Sequence, residues 1–409
     1  MGIDQESLLR CIQPKDLLNT DCVADHLNAE QLAERAQRVV KFGFAALKLE
    51  TIPIKGNEAH CVRSTPHLIV LRCLNRVIRK ATRITPSDRD TIIRRIHTIL
   101  SEGVPHRVYK YDIKSFFESL NTKLLSEQLA DVPQVPRNAI LILQNFLNEL
   151  LERGISGLPR GIQLSATLSE YALQQFDQRL SKLPEVYYHA RYVDDIVIVT
   201  SAREHQEQFG RSIKRMLPFN LQMNPLKTRV FDITVQPKSD GKAQLGAFDY
   251  LGYNFSIYET KRTPSNRLCR AVDIAIAPKK IRRIKSRLCS AVCSFLNDGD
   301  IQALERRLQL LTGNYNVRDF STGRIRNVGL YCNYRRANST TGLDELDSFL
   351  RALVIGSRNK LARRLSLKVP LQLRRSLLRY SFSRNFSQQT FYNFGVAELT
   401  DLTRCWRNG

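Results

Sequence analysis

Residues 191–200 read RYVDDIVIVT and place two adjacent acids, Asp194 and Asp195, between an aromatic residue and a run of β-branched residues. Such residues favour strands and acids are common in turns, so this stretch predicts two strands that meet in a hairpin with both carboxylates at its tip. Adjacent carboxylates repel each other, and in an apolar strand the pair is costly unless a cation lies beside it. Taken alone, the stretch also fits a polar turn without chemistry.

A second stretch, VYKYDIKSFF (108–117), places Asp112 at the end of another β-rich run. Three carboxylates on neighbouring strands suit two Mg²⁺ ions about 3.5 to 4 Å apart, because hard cations take oxygen ligands and keep positions open for phosphate. Phosphoryl transfer requires little of a protein beyond alignment and charge neutralisation. The three acids therefore predict a two-metal site, in which Mn²⁺ is the expected substitute for Mg²⁺.

The composition indicates a globular protein that binds a polyanion. Of 409 residues, 43% are hydrophobic and 25% are charged, and the net charge is +24. Nucleic acid is favoured over a membrane surface as the partner, because the basic residues are spread along the whole chain. No apolar run reaches the roughly 18 to 20 residues that a membrane span needs. The nine cysteines include no CxxC pair and the start has no leader-like pattern, so we expect a reduced, cytoplasmic protein.

Periodicity divides the chain into three predicted domains. Residues 1–50 carry apolar residues at helical spacing and predict an N-terminal helical region. Within the predicted domain 51–256, residues up to about Glu102 are dense in Arg and β-branched residues, and residues 105–256 alternate short β-rich runs with helical patterns, which indicates strands mixed with helices. The predicted domain 257–409 is helical and basic after about Lys279, and we expect it to grip a duplex or a structured RNA.

Five motifs, in order along the chain, resemble those of reverse transcriptases. YVDD (192–195) resembles the YxDD box, and VYKYDIKSFFESL (108–120) is similar to the first catalytic motif. GLPRGIQLS (157–165) resembles the LPQG box that lies under the incoming nucleotide. LQMNPLKT (221–228) resembles the motif whose Lys protonates the leaving pyrophosphate, and YLGY (250–253) resembles the primer-grip turn.

The resemblance implies an RNA-directed DNA polymerase of the right-hand fold, in the α+β class. Residues 51–256 would form the fingers and a palm with an antiparallel sheet, and residues 257–409 would form an α-helical thumb and C-terminal domain. The partners implied are an RNA template, the DNA product and dNTPs, without a membrane.

Roles carry over to the positions that match the motifs. The metal ligands would be Asp112, Asp194, Asp195 and the backbone carbonyl of Ile113, and Lys227 would act on the leaving pyrophosphate. Phe117 would be the steric gate that excludes a 2′-hydroxyl. The remaining nucleotide contacts would come from Arg160, Gly161, Gln163 and Tyr192, and the primer-grip contacts from Tyr250, Leu251 and Gly252.

Arg160 departs from the family pattern, because the LPQG box usually has Gln there. A guanidinium still offers donors to phosphate or sugar oxygens, so nucleotide contact is retained while template dependence is left open. Its alternative reading is a surface Arg in a Gly-Pro turn. Three hypotheses follow: a polymerase that copies a dedicated non-coding RNA, an untemplated or protein-primed DNA polymerase, and a non-catalytic RNA-binding scaffold.

The stretch GLPRGIQLSATLSEY (157–171) and the basic helical tail with GNYNVRDFSTGRIRN (313–327) are most similar to bacterial antiviral-defence, abortive-infection-like reverse transcriptases. This likeness implies a role in defence and leaves open a homo-oligomer or a protein partner of the same defence system. In the tail, a cluster with Lys279, Lys280, Arg282 and Arg283 predicts either contact with a duplex backbone or a solvated helix face.

Overall fold

A computed structural model of the protein describes residues 2–18, 27–54, 57–85, 87–233, 243–318 and 325–406. The chain divides into two compact units. The first unit comprises Met1–Ile92 and Pro105–Ile233, and the second comprises Ile93–Val104 and Thr234–Gly409. Part of the 313–327 stretch, residues 319–324, lies outside the described residues.

The first unit combines helices with two antiparallel sheets. Its helices are α1 (Gln5–Leu9), α2 (Ala29–Phe42), α3 (Thr65–Thr82), α5 (Phe116–Ser119), α6 (Thr122–Ala130), α7 (Arg137–Glu152), α8 (Gln163–Ala172), α9 (Gln174–Leu180) and α10 (Gln206–Met216), while α4 (Arg89–Leu100) crosses the boundary between the units. Its strands are β1 (Leu49–Ile54), β2 (Asn57–Val62), β3 (His106–Asp112), β4 (Val186–Tyr192), β5 (Asp195–Thr200) and β6 (Arg229–Ile233).

A four-stranded sheet in the order β4-β5-β3-β6 forms the centre of this unit, and all its pairs are antiparallel. The β-branched run of β5 explains why it lies inside: Ile196, Val197, Ile198 and Val199 are fully buried, so neither face of the strand meets water. The apolar run of β5 therefore begins directly after Asp195, the first residue of the strand.

Helix α2 shows how the N-terminal region joins this unit. A capping box of Asn28 and Gln31 begins the helix, and Gly43 ends it with a left-handed φ of 86°. The buried face of α2 includes Leu32 and Ala36, which belong to the same hydrophobic core as Ile196 of β5. The N-terminal helices therefore share the core of the first unit.

The second unit contains a three-stranded antiparallel sheet in the order β7-β8-β9, a hairpin of β10 and β11, and a basic helical part. Its strands are β7 (Gln244–Tyr250), β8 (Tyr253–Arg262), β9 (Leu268–Ile276), β10 (Asn314–Arg318) and β11 (Ile325–Gly329). Its helices are α11 (Pro278–Asp298), α12 (Ile301–Thr312), α13 (Leu330–Tyr334), α14 (Thr341–Ile355), α15 (Lys360–Lys368), α16 (Leu371–Leu377), α17 (Phe382–Ser387) and α18 (Val396–Arg404).

The predicted fold class, α+β with antiparallel sheets followed by a helical part, is confirmed by these elements. The compact units divide the chain differently from the predicted domains, because residues 1–50 share the core of the first unit and β7 lies in the second. As functional domains, the ranges 1–50, 51–256 and 257–409 stay a prediction. Within the described ranges, no helix has both the length and the apolarity needed to cross a bilayer.

Candidate active site

The predicted hairpin at the tandem acids is present. Strands β4 and β5 pair as far as Tyr192 and Asp195, so Val193 and Asp194 are the two residues of the turn. Val193 has a φ of 62°, in the left-handed region that a β-branched residue rarely adopts. Such a conformation costs about 1–3 kcal/mol and persists only where surrounding contacts hold it.

Register brings Asp112 to this turn. Strands β3 and β5 pair antiparallel with Asp112 opposite Asp195, and the Ile113 amide donates to the Asp194 carbonyl over 3.2 Å. Directly opposed residues of an antiparallel pair project their side chains on the same face. Acids more than 80 positions apart in sequence thus meet at adjacent strand ends, as predicted.

Asp194 and Asp195 are partly buried, and burial raises the pKa of both carboxyl groups. Burial raises the pKa of Asp195 to about 6, and repulsion from Asp194 contributes to the rise. Burial also raises the pKa of Asp194, with a smaller contribution from Asp112. Negative charge is therefore costly here and would be stabilised by a cation.

Asp112 is 5% exposed and is held by the loop between α10 and β6. Lys227 Nζ donates to Asp112 Oδ1 over 2.8 Å, and Asn224 Nδ2 donates to Asp112 Oδ2 over 3.3 Å. The Asn224 amide also donates to the Asp112 carbonyl over 2.7 Å. The Lys227 side chain is 61% exposed, so its ammonium reaches from solvent to a buried carboxylate.

The donor chemistry of this site suits a hard divalent cation, since its ligands would be carboxylate oxygens. Among the residues that the structure describes, however, no three His, Cys, Asp or Glu side chains are grouped so as to hold a metal ion. Metal binding by Asp112, Ile113, Asp194 and Asp195 stays a prediction.

Arg191, which was not among the predicted site residues, holds the turn from within the unit. This residue is 6% exposed. Its Nη2 donates to Glu170 over 2.7 Å and to Asp177 over 2.8 Å, and its Nη1 donates to the Val193 carbonyl over 3.2 Å. The only signal in the sequence was a charged residue inside an otherwise apolar strand pattern, which predicts a buried ion pair.

Arg160 is engaged by neighbours in the first catalytic motif. Its Nε and Nη2 donate to both carboxylate oxygens of Glu118, over 2.7 and 3.1 Å. The guanidinium carbon lies 5.2 Å from the centroid of the Phe117 ring. The Glu118 hydrogen bond raises the pKa of Arg160. This guanidinium packs on the predicted steric gate, and its contact with nucleotide stays a prediction.

Two glycines allow the segment that carries Arg160 to approach its neighbours closely. Gly161 has a φ of 93°, and a Cβ there would lie 2.6 Å from the His60 carbonyl oxygen. Gly157 has a φ of 71°, and a Cβ there would lie 2.4 Å from the Phe117 carbonyl oxygen. Side chains at these positions would separate the segment from β2 and from the residues after β3.

The remaining predicted nucleotide contacts are accessible. Tyr192 is 40% exposed at the end of β4. Gln163 is exposed at the start of α8 and lines a cavity of about 490 Å³ whose other walls are strongly basic, with Arg10, Arg72, Arg76, Arg79 and Lys80. These positions fit the predicted roles without testing them.

The predicted primer-grip turn lies in the second unit. Tyr250 pairs with Tyr253, and the two residues between them, Leu251 and Gly252, have left-handed φ values of 47° and 83°. The Ala277 amide donates to the Gly252 carbonyl over 3.0 Å. This is a tight hairpin turn whose backbone is fixed at the start of α11.

The predicted basic cluster lies at the start of α11. Pro278 occupies the first turn, where its missing N–H is not needed. Lys279, Arg282 and Arg283 are exposed and Lys280 is half-buried. Exposure fits both a solvated helix face and a contact with a duplex, so the duplex contact stays a prediction.

Residues 57–255 match the family model described as reverse transcriptase (RNA-dependent DNA polymerase). These residues form a reverse transcriptase domain, and the match indicates an RNA-directed DNA polymerase, which is a nucleotidyltransferase. The predicted right-hand polymerase fold class is confirmed with it. A comparison with curated proteins gives no match.

Solved structures with a similar fold include telomerases of Candida species. The chain is 12% identical to apo telomerase from Candida tropicalis, covering 88% of this chain and 64% of that one with a TM-score of 0.40. Apo telomerase from Candida tropicalis without its C-terminal domain is 14% identical, with 51% of this chain and 53% of that one covered and a TM-score of 0.36. Telomerase from Candida albicans in complex with a TWJ fragment of telomeric RNA is 12% identical, with 88% of this chain and 64% of that one covered and a TM-score of 0.36. The chain thus spans between about half and two thirds of these proteins.

Proposed function

We propose that this chain is an RNA-directed DNA polymerase that adds dNTPs to a 3′-hydroxyl at Asp112, Asp194 and Asp195. One observation carries the proposal: the register of β3 on β5 sets Asp112 opposite Asp195 beside the turn at Asp194. A pure scaffold gains nothing from repelling acids held out of water, because their charge destabilises the fold.

Each residue of the site has its own role in the proposed reaction. Divalent ions, when bound by the three acids and by the Ile113 carbonyl, would supply activation of the attacking hydroxyl and charge neutralisation on the phosphates. Lys227 is a proton donor placed at the rim of the site, since its exposed ammonium contacts buried Asp112. Arg191 and Asn224 fix the turn and the Asp112 carboxylate, so that both are positioned before substrate arrives.

Phe117 and Arg160 are proposed to select the substrate. The Phe117 ring would collide with a 2′-hydroxyl, and the Arg160 guanidinium at 5.2 Å from its centroid restricts how far the ring can turn. The Glu118 pair in turn fixes Arg160. Discrimination between dNTPs and NTPs would therefore depend on the Phe117 ring, on Arg160 packed against it and on Glu118 paired with Arg160.

Primer extension tests the polymerase proposal directly. Purified protein is incubated with an RNA template, a DNA primer and either dNTPs or NTPs, in Mg²⁺ and in Mn²⁺. We expect incorporation of dNTPs that is lost in the Asp194→Asn, Asp195→Asn double variant while the fold and RNA binding remain. Undiminished synthesis by that variant would overturn the proposal, and an inactive wild type that binds RNA would favour the scaffold.

Untemplated or protein-primed synthesis is the second candidate. It is supported by the engagement of Arg160 with Glu118, because a guanidinium already paired differs from the free amide that the LPQG box usually presents. Sequencing the product separates the two candidates. A product complementary to a co-purified RNA supports templated copying, whereas a random or homopolymeric tract supports the second candidate.

We further propose that the template is a dedicated non-coding RNA and that the enzyme acts in the cytoplasm in bacterial antiviral defence. The GLPRGIQLSATLSEY stretch and the +24 net charge support this reading. Phage plating on cells that express the wild type or the double Asp variant is the test. Protection that survives the loss of both acids would contradict a defence role for the synthesis.

A further inference from the structure

The second unit contains a small cavity whose lining shares only Arg283 with the predicted basic cluster of Lys279, Lys280, Arg282 and Arg283. Its volume is about 320 Å³, and its walls come from α11, α12, the start of β10, the end of α18 and the segment after it. The lining side chains are basic, aromatic and aliphatic, with one hydroxyl: Arg283, Arg287, Leu310, Leu311, Tyr315, Thr403 and Trp406. The lining is therefore more polar than apolar, and it combines fixed charged groups with aromatic and aliphatic walls that a small ligand could contact.

Two guanidinium groups in the lining favour an anion as the ligand of this cavity. Arg283 and Arg287 lie one helical turn apart on α11, and within the described ranges neither has a carboxylate partner. Arg287 is half-buried, and its burial, with repulsion from Arg283, lowers its pKa. A partly buried arginine without a counter-charge is costly, and a bound anion would remove that cost.

Contacts around Trp406 hold Arg287 in place. The Arg287 guanidinium carbon lies 5.3 Å from the centroid of the Trp406 ring, and Trp406 Nε1 donates to the Arg287 carbonyl over 3.0 Å. Arg287 therefore keeps its orientation without an acid, while its N–H groups remain available. A planar fork of donors held in this way matches a phosphate.

A third arginine adds positive charge beside the cavity. Arg307 lies one turn before Leu310 and Leu311 on α12, is 6% exposed, and has an Nη1 without a hydrogen-bond partner among the described residues. Both Arg287 and Arg307 act electrostatically on Cys405, the neighbour of Trp406. The aromatic and aliphatic walls would suit the nucleoside that carries the phosphate.

We propose that this cavity binds the phosphate of a nucleotide, either free or at the end of a nucleic-acid strand. Arg283 and Arg287 take the phosphate oxygens, and Tyr315, Leu310 and Leu311 contact the nucleoside. The site belongs to the second unit, whereas the three acids belong to the first, so its occupancy does not depend on the polymerase proposal.

The chain carries its own reporter for this site, because Trp406 is its single tryptophan. The full chain, with EDTA present and both tandem acids changed to Asn, is titrated with adenosine 5′-monophosphate and, separately, with adenosine. Tryptophan emission is followed, and equilibrium dialysis with labelled nucleotide measures binding even if emission does not change. We expect saturable binding of the monophosphate and at least about tenfold weaker binding of adenosine.

Arg283→Gln is the test variant, and Arg282→Gln is its matched control. Both residues are exposed on α11, but only Arg283 lines the cavity. We expect Arg283→Gln to weaken the binding of adenosine 5′-monophosphate by about tenfold, and Arg282→Gln to leave that binding unchanged. Equal binding of adenosine and its monophosphate, or equal effects of the two variants, would overturn the proposal.

Oligonucleotides identify the source of the phosphate. A 5′-phosphorylated strand is compared with the same strand ending in a 5′-hydroxyl, in the same wild-type and variant backgrounds. Preference for the phosphorylated strand that requires Arg283 assigns the cavity to a strand end. Binding of the monophosphate alone assigns it to a free nucleotide, and absence of both kinds of binding rejects the site.

Discussion

Arg191 donates a 3.2 Å hydrogen bond from Nη1 to the carbonyl of Val193, the residue whose left-handed backbone forms the turn before the tandem acids. The same guanidinium is fixed by Glu170 and Asp177 on α8 and α9. A strained turn needs such an external hold, since an unsupported Val would leave this conformation. Arg191 is therefore a positioning residue of the proposed active site.

Arg191→Gln is expected to lower stability and synthesis together. Removing one member of a buried ion pair leaves Glu170 and Asp177 without their cation, at a cost of about 3–5 kcal/mol. Urea unfolding measures this loss, and primer extension measures the rate.

The conservative variant Arg191→Lys separates the two effects. A lysine keeps the charge beside the acids but cannot reach three acceptors with a fixed fork. We expect stability to recover in part while the rate stays at least about tenfold below wild type, because a small displacement of the acids is costly to catalysis. A fully active Arg191→Lys protein would show that Arg191 has a structural role alone.

Asp195→Asn is expected to stabilise the protein above pH 6 while abolishing synthesis. The pKa of Asp195 is raised to about 6, so the folded protein holds its proton more tightly than the unfolded chain. The free energy of unfolding of the wild type, relative to that of Asp195→Asn, should thus fall as pH rises from about 4 to about 6, by about 1–3 kcal/mol. Thermal unfolding of both proteins across this range in EDTA is the measurement, and a difference that does not change with pH would contradict it.

Divalent ions should reverse the loss of stability that the charged acids cause above pH 6. We expect Mg²⁺ to raise the melting temperature of the wild type at pH 8, since binding to the folded state alone stabilises it. The rise should vanish in the Asp194→Asn, Asp195→Asn double variant. An equal rise in both proteins would place the ion elsewhere.

Lys227→Met is expected to slow nucleotide addition far more than it destabilises the fold. The Lys227 side chain is 61% exposed, and buried Asp112 keeps its hydrogen bond from Asn224 when Lys227 is replaced, so we expect only a modest loss of stability. Loss of a general acid typically costs about 10²–10⁴-fold in rate. Single-turnover incorporation measures the rate, with Lys227→Arg as the control that keeps the charge, and an unaltered rate in the Met variant would exclude Lys227 from proton transfer.

Phe117→Ala should admit ribonucleotides. Removing the ring opens the space that a 2′-hydroxyl would occupy, so the ratio of kcat/KM for dNTP over NTP should fall by at least about tenfold. Arg160→Gln is the control, because it frees the ring from its neighbour without shortening it. If Arg160→Gln alone relaxes selection as much as Phe117→Ala, the packing of Arg160 on the ring, and not the ring alone, is the gate.

The hairpin could be predicted because its cause is local. Alternating strand patterns and turn residues act over a few positions, and Asp194 and Asp195 project from the tip that these patterns define. The orientation of Arg160 could not be predicted in this way, because Glu118 and the Phe117 ring, 42 and 43 positions earlier in the chain, determine it. Its contact with nucleotide stays a prediction.

The sequence by itself determined the strands, the tandem acids and the excess of positive charge, because propensity, spacing and formal charge are properties of the chain. Only the tertiary structure decided that Asp112 lies opposite Asp195, that Lys227 bonds Asp112, and that Arg191 holds the turn. The physical reason is that register and buried ion pairing join distant residues, and their energies depend on distance and burial in the folded state.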